Sequence, residues 1–333
     1  MIYYCVQHNE PQEENAMNHA EHTVAANANQ ILAQVRKAVL GKDQVLIWVL
    51  AALLAKGHIL LEDIPGVGKT TMALAFSKTL GLQYSRMQFT PDVLPSDVTG
   101  YTVLDPKTME SSFRPGAVLC NLFLADELNR ATSRTQSALL EAMEEGQVTV
   151  DGVSHKVPQP FAVIATQNPT GAAGTQLLPD SQMDRFMLRL SLGYPAPADE
   201  IAMIASRKDG NPLHTMEPLL SREALLAMQE AVEATHVSED IMKYAVELIC
   251  ATRRHPFISL GASPRATLSV IALSKAVAQL QGRDYVLPDD VRSVFLRAIP
   301  HRLRLSDEAV LQKKTEEEIL QSILSAVKSP AVV

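Results

Sequence analysis

Cysteine is nearly missing from this 333-residue chain: Cys5, Cys120 and Cys250 are odd in number and far apart. That excludes a disulfide framework and offers no metal-ligand spacing, so a reducing, cytoplasmic setting is expected. Aromatic residues make up only 5% of the sequence, few platforms for base stacking. Basic excess is also lacking, since 30 Lys and Arg stand against 37 Asp and Glu for a net charge of −7. Nucleic-acid binding that ignores sequence runs on a basic excess and is not expected here. The longest apolar run, Val45 to Ala55, stops at Lys56. It is far shorter than the about 20 residues that cross a bilayer, so no membrane span is expected. The opening MIYYCVQHNEPQEEN has no positive segment followed by an apolar one and does not read as a signal peptide. Met17, just ahead of helical sequence, is an alternative start. With 15 glycines and 19 prolines the chain is neither collagenous nor of low complexity.

What is present is enough apolar residue to build a core: 47% hydrophobic against 20% charged. The length allows one large domain or two ordinary ones. Residues 1–28 are polar and without sustained periodicity, and read as a flexible tail. Ile31, Val35 and Val39 then recur at helical spacing up to Gly41, and Val45–Ala55 reads as a buried helix. From residue 58 the pattern changes. Short apolar runs at 58–62, 86–89, 119–125, 161–166 and 187–192 alternate with helical stretches at 70–80, 132–145 and 179–186. Strands that are apolar throughout, separated by helices, predict a parallel sheet covered on both faces.

Two insertions break this rhythm. Val148–Val150 and Val153–Val157 flank Asp151-Gly152, the strongest short-range hairpin signal. Tyr101 to Phe113, folded around Asp105-Pro106, reads as a second, weaker hairpin. Beyond Gly193-Tyr194-Pro195 only helical blocks follow, with Ser221, Ser238 and Ser263 placed as N-caps. The expected organisation is an α/β core over 29–194 and a smaller all-helical domain over 195–333.

The chemistry sits at the strand ends. Pro65-Gly66-Val67-Gly68-Lys69-Thr70-Thr71 lies between a strand and a helix, the setting of a phosphate-binding loop. Glycines let backbone N–H groups curl around phosphate, Lys69 supplies charge to the β/γ oxygens, and the Thr70 hydroxyl suits Mg²⁺. Asp63 stands where the template has its first glycine, and a carboxylate beside phosphate is unfavourable, so its side chain is expected to point away. The run Leu122 to Ala125 ends in Asp126 and Glu127. Asp126 can hold Mg²⁺ through water, and Glu127 can polarise an attacking water. Asn168, just past another buried run and before Pro169, can orient that water or simply form a turn. Arg265 stands at a helix N-terminus, where a cation opposes the helix dipole and invites an anion such as a phosphate. Arg185 precedes the last strand, and its plainest reading is a surface ion pair. No His-Glu-x-x-His, Gly-x-Ser-x-Gly or Cys/His cluster supports another catalytic scheme.

In order along the chain, IPGVGKTT, QFTPDVLPSDVTG, FRPGAV, LADELNRATSRTQSALLEAMEEGQVTVDG, VIATQNP, DSQMDRF and GASPRA resemble the MoxR family of AAA+ ATPases. The resemblance covers residue 40 to the C-terminus. It implies a P-loop αβα nucleotide-binding domain with a five-stranded parallel sheet, a helical lid, and assembly into a ring, usually a hexamer. By motif, Lys69 and Thr70 resemble the Walker A pair, Asp126 and Glu127 the Walker B pair, Asn168 sensor 1 and Arg265 sensor 2. Arg185 resembles the arginine finger that reaches a neighbouring subunit's nucleotide, and Arg130 an interface residue. The two hairpins resemble the family's insertions that face a pore or client. The stretch Thr170–Gly174 departs from relatives, which often carry acidic residues there. ATP, Mg²⁺ and a von Willebrand factor A domain partner follow as expectations, with chaperone-like remodelling of a protein client as the work done. A nucleotide-gated scaffold with little turnover and a DNA-acting motor remain the other readings.

Overall fold

The computed structural model describes residues 13–168, 178–206, 208 and 210–331, with side chains from Val24 onward. Its first element corrects the expected tail. Helix α1 runs Glu13–Arg36 and takes in residues 13–28. Val24, Ala28, Ile31, Leu32 and Val35 are all buried, and steps of three and four place them on one face of the helix. The helix stops at Arg36, so Val39 is buried beyond it rather than within it. Helix α2 (Asp43–Leu54) buries nearly its whole surface from Leu46 on.

The αβα unit then unfolds in chain order: β1 (Ile59–Glu62), α3 (Lys69–Thr79), β2 (Tyr84–Gln88) and the short α4 (Pro95–Thr99). A first hairpin follows, β3 (Gly100–Leu104) and β4 (Ser111–Pro115), then β5 (Leu122–Asp126) and α5 (Ser133–Glu145). A second hairpin, β6 (Gln147–Val150) and β7 (Val153–Lys156), leads to β8 (Ala162–Gln167), α6 (Asp180–Met183) and β9 (Leu188–Leu190). Five strands form one sheet in the order β2-β5-β8-β1-β9, every neighbouring pair parallel. Successive strand residues alternate between two apolar layers. Ile59, Leu61, Leu122 and Leu124 face α1–α3, whereas Leu60, Phe123 and Ala125 face α5 and α4. Cover on both sides is what makes these strands apolar throughout. Parallel pairing brings all five C-terminal ends to one edge, where open α/β sheets bind ligands.

Both hairpins form. Asp151 (φ 51°) and Gly152 (φ 78°) occupy the left-handed region together, the geometry of a type I′ turn. In the other hairpin the Asp105 carboxylate accepts from the Lys107 backbone N–H at 2.8 Å. The two fingers meet where Phe113 stacks on His155, ring centroids 3.6 Å apart and planes 7° from parallel.

Beyond β9 come α7 (Pro197–Ser206), α8 (Arg222–Ala234), α9 (Glu239–Arg254), α10 (Pro264–Leu280), α11 (Pro288–Ala298), α12 (Asp307–Leu311) and α13 (Glu316–Ala326). Ser221, Ser238 and Ser263 cap α8, α9 and α10 by accepting from the N–H three residues on. One short ribbon interrupts the helices: β10 (Ile258–Leu260) pairs antiparallel with β11 (Arg304–Leu305). Strands of three and two residues are too short to carry a periodicity signal.

Candidate nucleotide site

Between β1 and α3 the chain makes a tight loop at 65–68. Gly66 (φ 88°) and Gly68 (φ 99°) hold backbone angles that side-chain-bearing residues avoid, and a Cβ on either would project into open space. The loop therefore presents bare backbone to a cavity of about 380 Å³. Pro65, Gly66, Gly68, Lys69, Thr70 and Thr71 line it together with Asp126, Glu127 and Asn168. The sequence-predicted loop, acid pair and Asn168 thus share one space, although they come from three separate strand ends. Lys69 donates to the Asp63 carbonyl at 2.8 Å. Burial pushes the Lys69 pKa down, while Asp63, Asp126 and Glu127 pull it up.

Val67 faces a second cavity of about 530 Å³ that shares the loop glycines. Val39 of the α1–α2 connection, Tyr194 and Pro195 ahead of α7, and Met203 and Ile204 on α7 give it apolar surface, with Lys42, Asp199 and Glu200 also at its wall. No sequence signal joins these residues into one wall, because they come from segments that meet only in the fold.

Asp63 is 5% exposed, and its carboxylate turns toward the exit of β9, as expected. It accepts from Ser191 Oγ (2.7 Å), Leu192 N (2.6 Å) and Gly193 N (3.0 Å). Three donors satisfy the charge without any phosphate.

The acid pair has two supports that sequence reading missed. Thr166 Oγ1 donates to Asp126 Oδ1 at 2.7 Å and accepts from the Glu127 N–H at 2.8 Å. A lone hydroxyl in the buried run Ala162–Gln167 was the available signal. Arg86, at the cavity wall, pairs with Asp126 Oδ2 at 2.7 Å. Glu127 itself sits at φ 55°, a conformation costing about 1–3 kcal/mol for a non-glycine residue. Its side chain is paired with Arg130 at 2.7 Å, so Arg130 serves the acid pair within this chain.

Arg185 and Arg265 do not line this cavity. Both pair with one carboxylate, Glu144 on α5: Arg185 at 3.0 Å and Arg265 in a closer contact. The anion offsetting Arg265 at the start of α10 is therefore a side chain of the same chain, not a phosphate in its own loop. Arg185 also donates to the Leu140 carbonyl at 2.8 Å. The stretch Thr170–Gly174, with Pro169, lies outside the described residues.

Residues 58–188 match the ATPase family associated with various cellular activities (AAA), and residues 250–323 match its lid domain. "Chaperone MoxR1" of Mycobacterium tuberculosis is 38% identical over 90% of this chain and 81% of its own. The chain belongs to the MoxR family of AAA+ ATPases. An uncharacterized protein, YeaC of Bacillus subtilis, is 46% identical over 89% of this chain and 92% of its own. A crystal structure from Cytophaga hutchinsonii, described as a candidate ATPase, superposes with a TM-score of 0.87 at 32% identity, covering 96% of this chain and 100% of that one. An MCM homologue from Methanopyrus kandleri, at 20% identity and a TM-score of 0.58, shares the fold over 98% of this chain and 64% of its own.

Proposed function

We propose that this MoxR-family chain is a Mg²⁺-dependent ATPase that works as a ring, a hexamer by family resemblance, and remodels a protein client. One observation carries the proposal. The phosphate loop, the acid pair and Asn168 line a single cavity, while Arg185 and Arg265 stand together outside it on Glu144. A catalytic set whose two arginines lie outside the chain's own cavity is completed, in this reading, where two copies meet.

In this reading the triphosphate lies along the bare backbone of Gly66 and Gly68, with Lys69 against the β/γ oxygens. The adenine lies against Val67 and the apolar wall of the adjoining cavity. Thr70 and Asp126 offer the hard oxygen donors that Mg²⁺ prefers, and both line the same space. When bound, Mg²⁺ neutralises charge on the phosphate oxygens. Glu127 accepts a proton from the attacking water, and Asn168 orients that water. Attack on the γ-phosphorus breaks its bond to the β–γ bridging oxygen and yields ADP and phosphate. Arg185 and Arg265 of a neighbouring copy stabilise charge on the transferred group, an effect of roughly 10³-fold or more in well-studied NTPases. In this reading α7, which walls the base cavity and leads from the sheet toward the lid, passes nucleotide loss on as a change of angle between core and lid.

The client class is a protein, with a von Willebrand factor A domain partner as the family expectation, and the place of action is the cytoplasm. Among the described residues no helix is long and apolar enough to cross a membrane. ATPase rate measured against protein concentration tests the ring. Specific activity should fall as dilution separates the copies, and a flat profile through full dissociation contradicts the proposal.

A further inference from the structure

The segment carrying Arg185 is gripped by the helical lid. The Asp184 carboxylate accepts two contacts from Ser263 Oγ, at 2.8 and 2.9 Å. Ser263 also caps α10, two residues ahead of Arg265. Beneath them lies Arg302, only 6% exposed. Its Nη2 donates to the carbonyls of Phe186 (2.8 Å) and Asp184 (3.2 Å) and to Ser269 Oγ (3.1 Å). Its Nε lies 3.3 Å from Asp184 Oδ1. His301 Nε2 donates to the same Phe186 carbonyl at 2.9 Å. Every contact in this set that reaches 184–186 comes from residues 263–302, far along the chain in the lid.

Burying a guanidinium is costly unless its partners are in place, and here most of those partners belong to the three residues around Arg185. Burial lowers the Arg302 pKa to about 10, which still leaves it charged near neutrality. Arg185 and Arg265 share the carboxylate of Glu144 on α5 and Arg302 pairs with Asp184, while Glu141 and Glu145 line the same cavity as Arg185.

We propose that Arg302 is a positioning residue, which through Asp184 and Ser263 presents Arg185 and Arg265 as one preassembled unit to the phosphates of a neighbouring copy. The inference rests on the reading that these arginines act in trans. Removing Arg302 leaves a chain's own nucleotide cavity intact but spoils what it offers its neighbour.

The test is subunit mixing with the full chain. Arg302→Gln and the milder Asp184→Asn are each assayed for ATP binding and turnover. Binding should stay within about twofold and kcat should fall at least about tenfold, the split expected when an interaction is made only in the transition state. Each variant is then mixed with Lys69→Ala, which lacks a working loop but keeps its arginines. Turnover in the mixture should rise several-fold above the sum of the separate proteins, because Lys69→Ala lends intact arginines to the variant's intact loop. Arg185→Ala mixed with Lys69→Ala is the control. If the control does not recover, the trans reading fails and this inference falls with it. If the control recovers while both variants do not, or if both retain full turnover or lose ATP binding, the role given to Arg302 is wrong.

Discussion

The Asp63 carboxylate accepts a hydrogen bond from the Leu192 backbone N–H at 2.6 Å, tying the exit of the first strand to the exit of the last. Lys42 closes on the same junction, donating to the carbonyls of Gly193 (3.1 Å) and Tyr194 (2.8 Å). The crossing from sheet to lid is thereby pinned beside the phosphate loop. Asp63→Gly restores the loop template, yet it strips the partner from two backbone donors and a hydroxyl. Unfolding free energy should drop by about 2–4 kcal/mol, with a melting temperature lower by several degrees. ATP affinity, measured by calorimetry, should not improve. Tighter binding at unchanged stability would make Asp63 a loop defect instead.

Thr166 is the shared support of both acids. Thr166→Val keeps the shape and the burial and removes only the hydroxyl. Turnover should fall about 10–100-fold, the usual effect of losing such an orienting group, with the fold intact by circular dichroism. Full activity would mean that Asp126 and Glu127 are held by Arg86 and Arg130 alone.

Glu127→Gln should slow hydrolysis by about 10²–10⁴-fold while ATP remains bound, as expected when a general base is lost. The variant should also retain its client on an affinity column in the presence of ATP. A scaffold that only binds nucleotide would lose nothing in function, and that result would favour the rival reading.

His58 bridges the sheet and α5. Its Nδ1 accepts from the Val163 N–H and its Nε2 donates to the Met143 carbonyl, each at 3.0 Å. Burial pushes its pKa down to about 4 from 6.5. In the window between those values the unfolded chain binds a proton that the native imidazole refuses. Stability from this group is therefore complete above about pH 6.5 and is lost as pH falls toward 4, by roughly 3 kcal/mol. His301, also buried and pushed well down, acts in the same direction. Followed from about pH 7 to pH 4, the melting temperature should fall less steeply for His58→Gln than for the native chain. Equal slopes would remove His58 from the account.

The five strands, the two fingers, the lid helices capped by Ser221, Ser238 and Ser263, and the residues of the phosphate loop and acid pair are all legible along the linear chain. Each is written locally, as an apolar run, an Asp-Gly turn, a serine before a helix, or a glycine-rich bend before Lys69. Further local signals stand in the chain unused: Ser306 caps α12, and Thr315 and Glu318 form the capping box of α13. Helix α1 is hard to read because alanine, asparagine and histidine dilute its stripe, and only packing against the core reveals Val24 and Ala28 as buried. Tertiary structure alone decided that Thr166 stands between Asp126 and Glu127, that Asp63 faces Leu192, and that Arg185 and Arg265 meet on Glu144. Those are contacts between strands, or between core and lid, where partners are chosen by the three-dimensional path of the chain. No spacing along one segment encodes them.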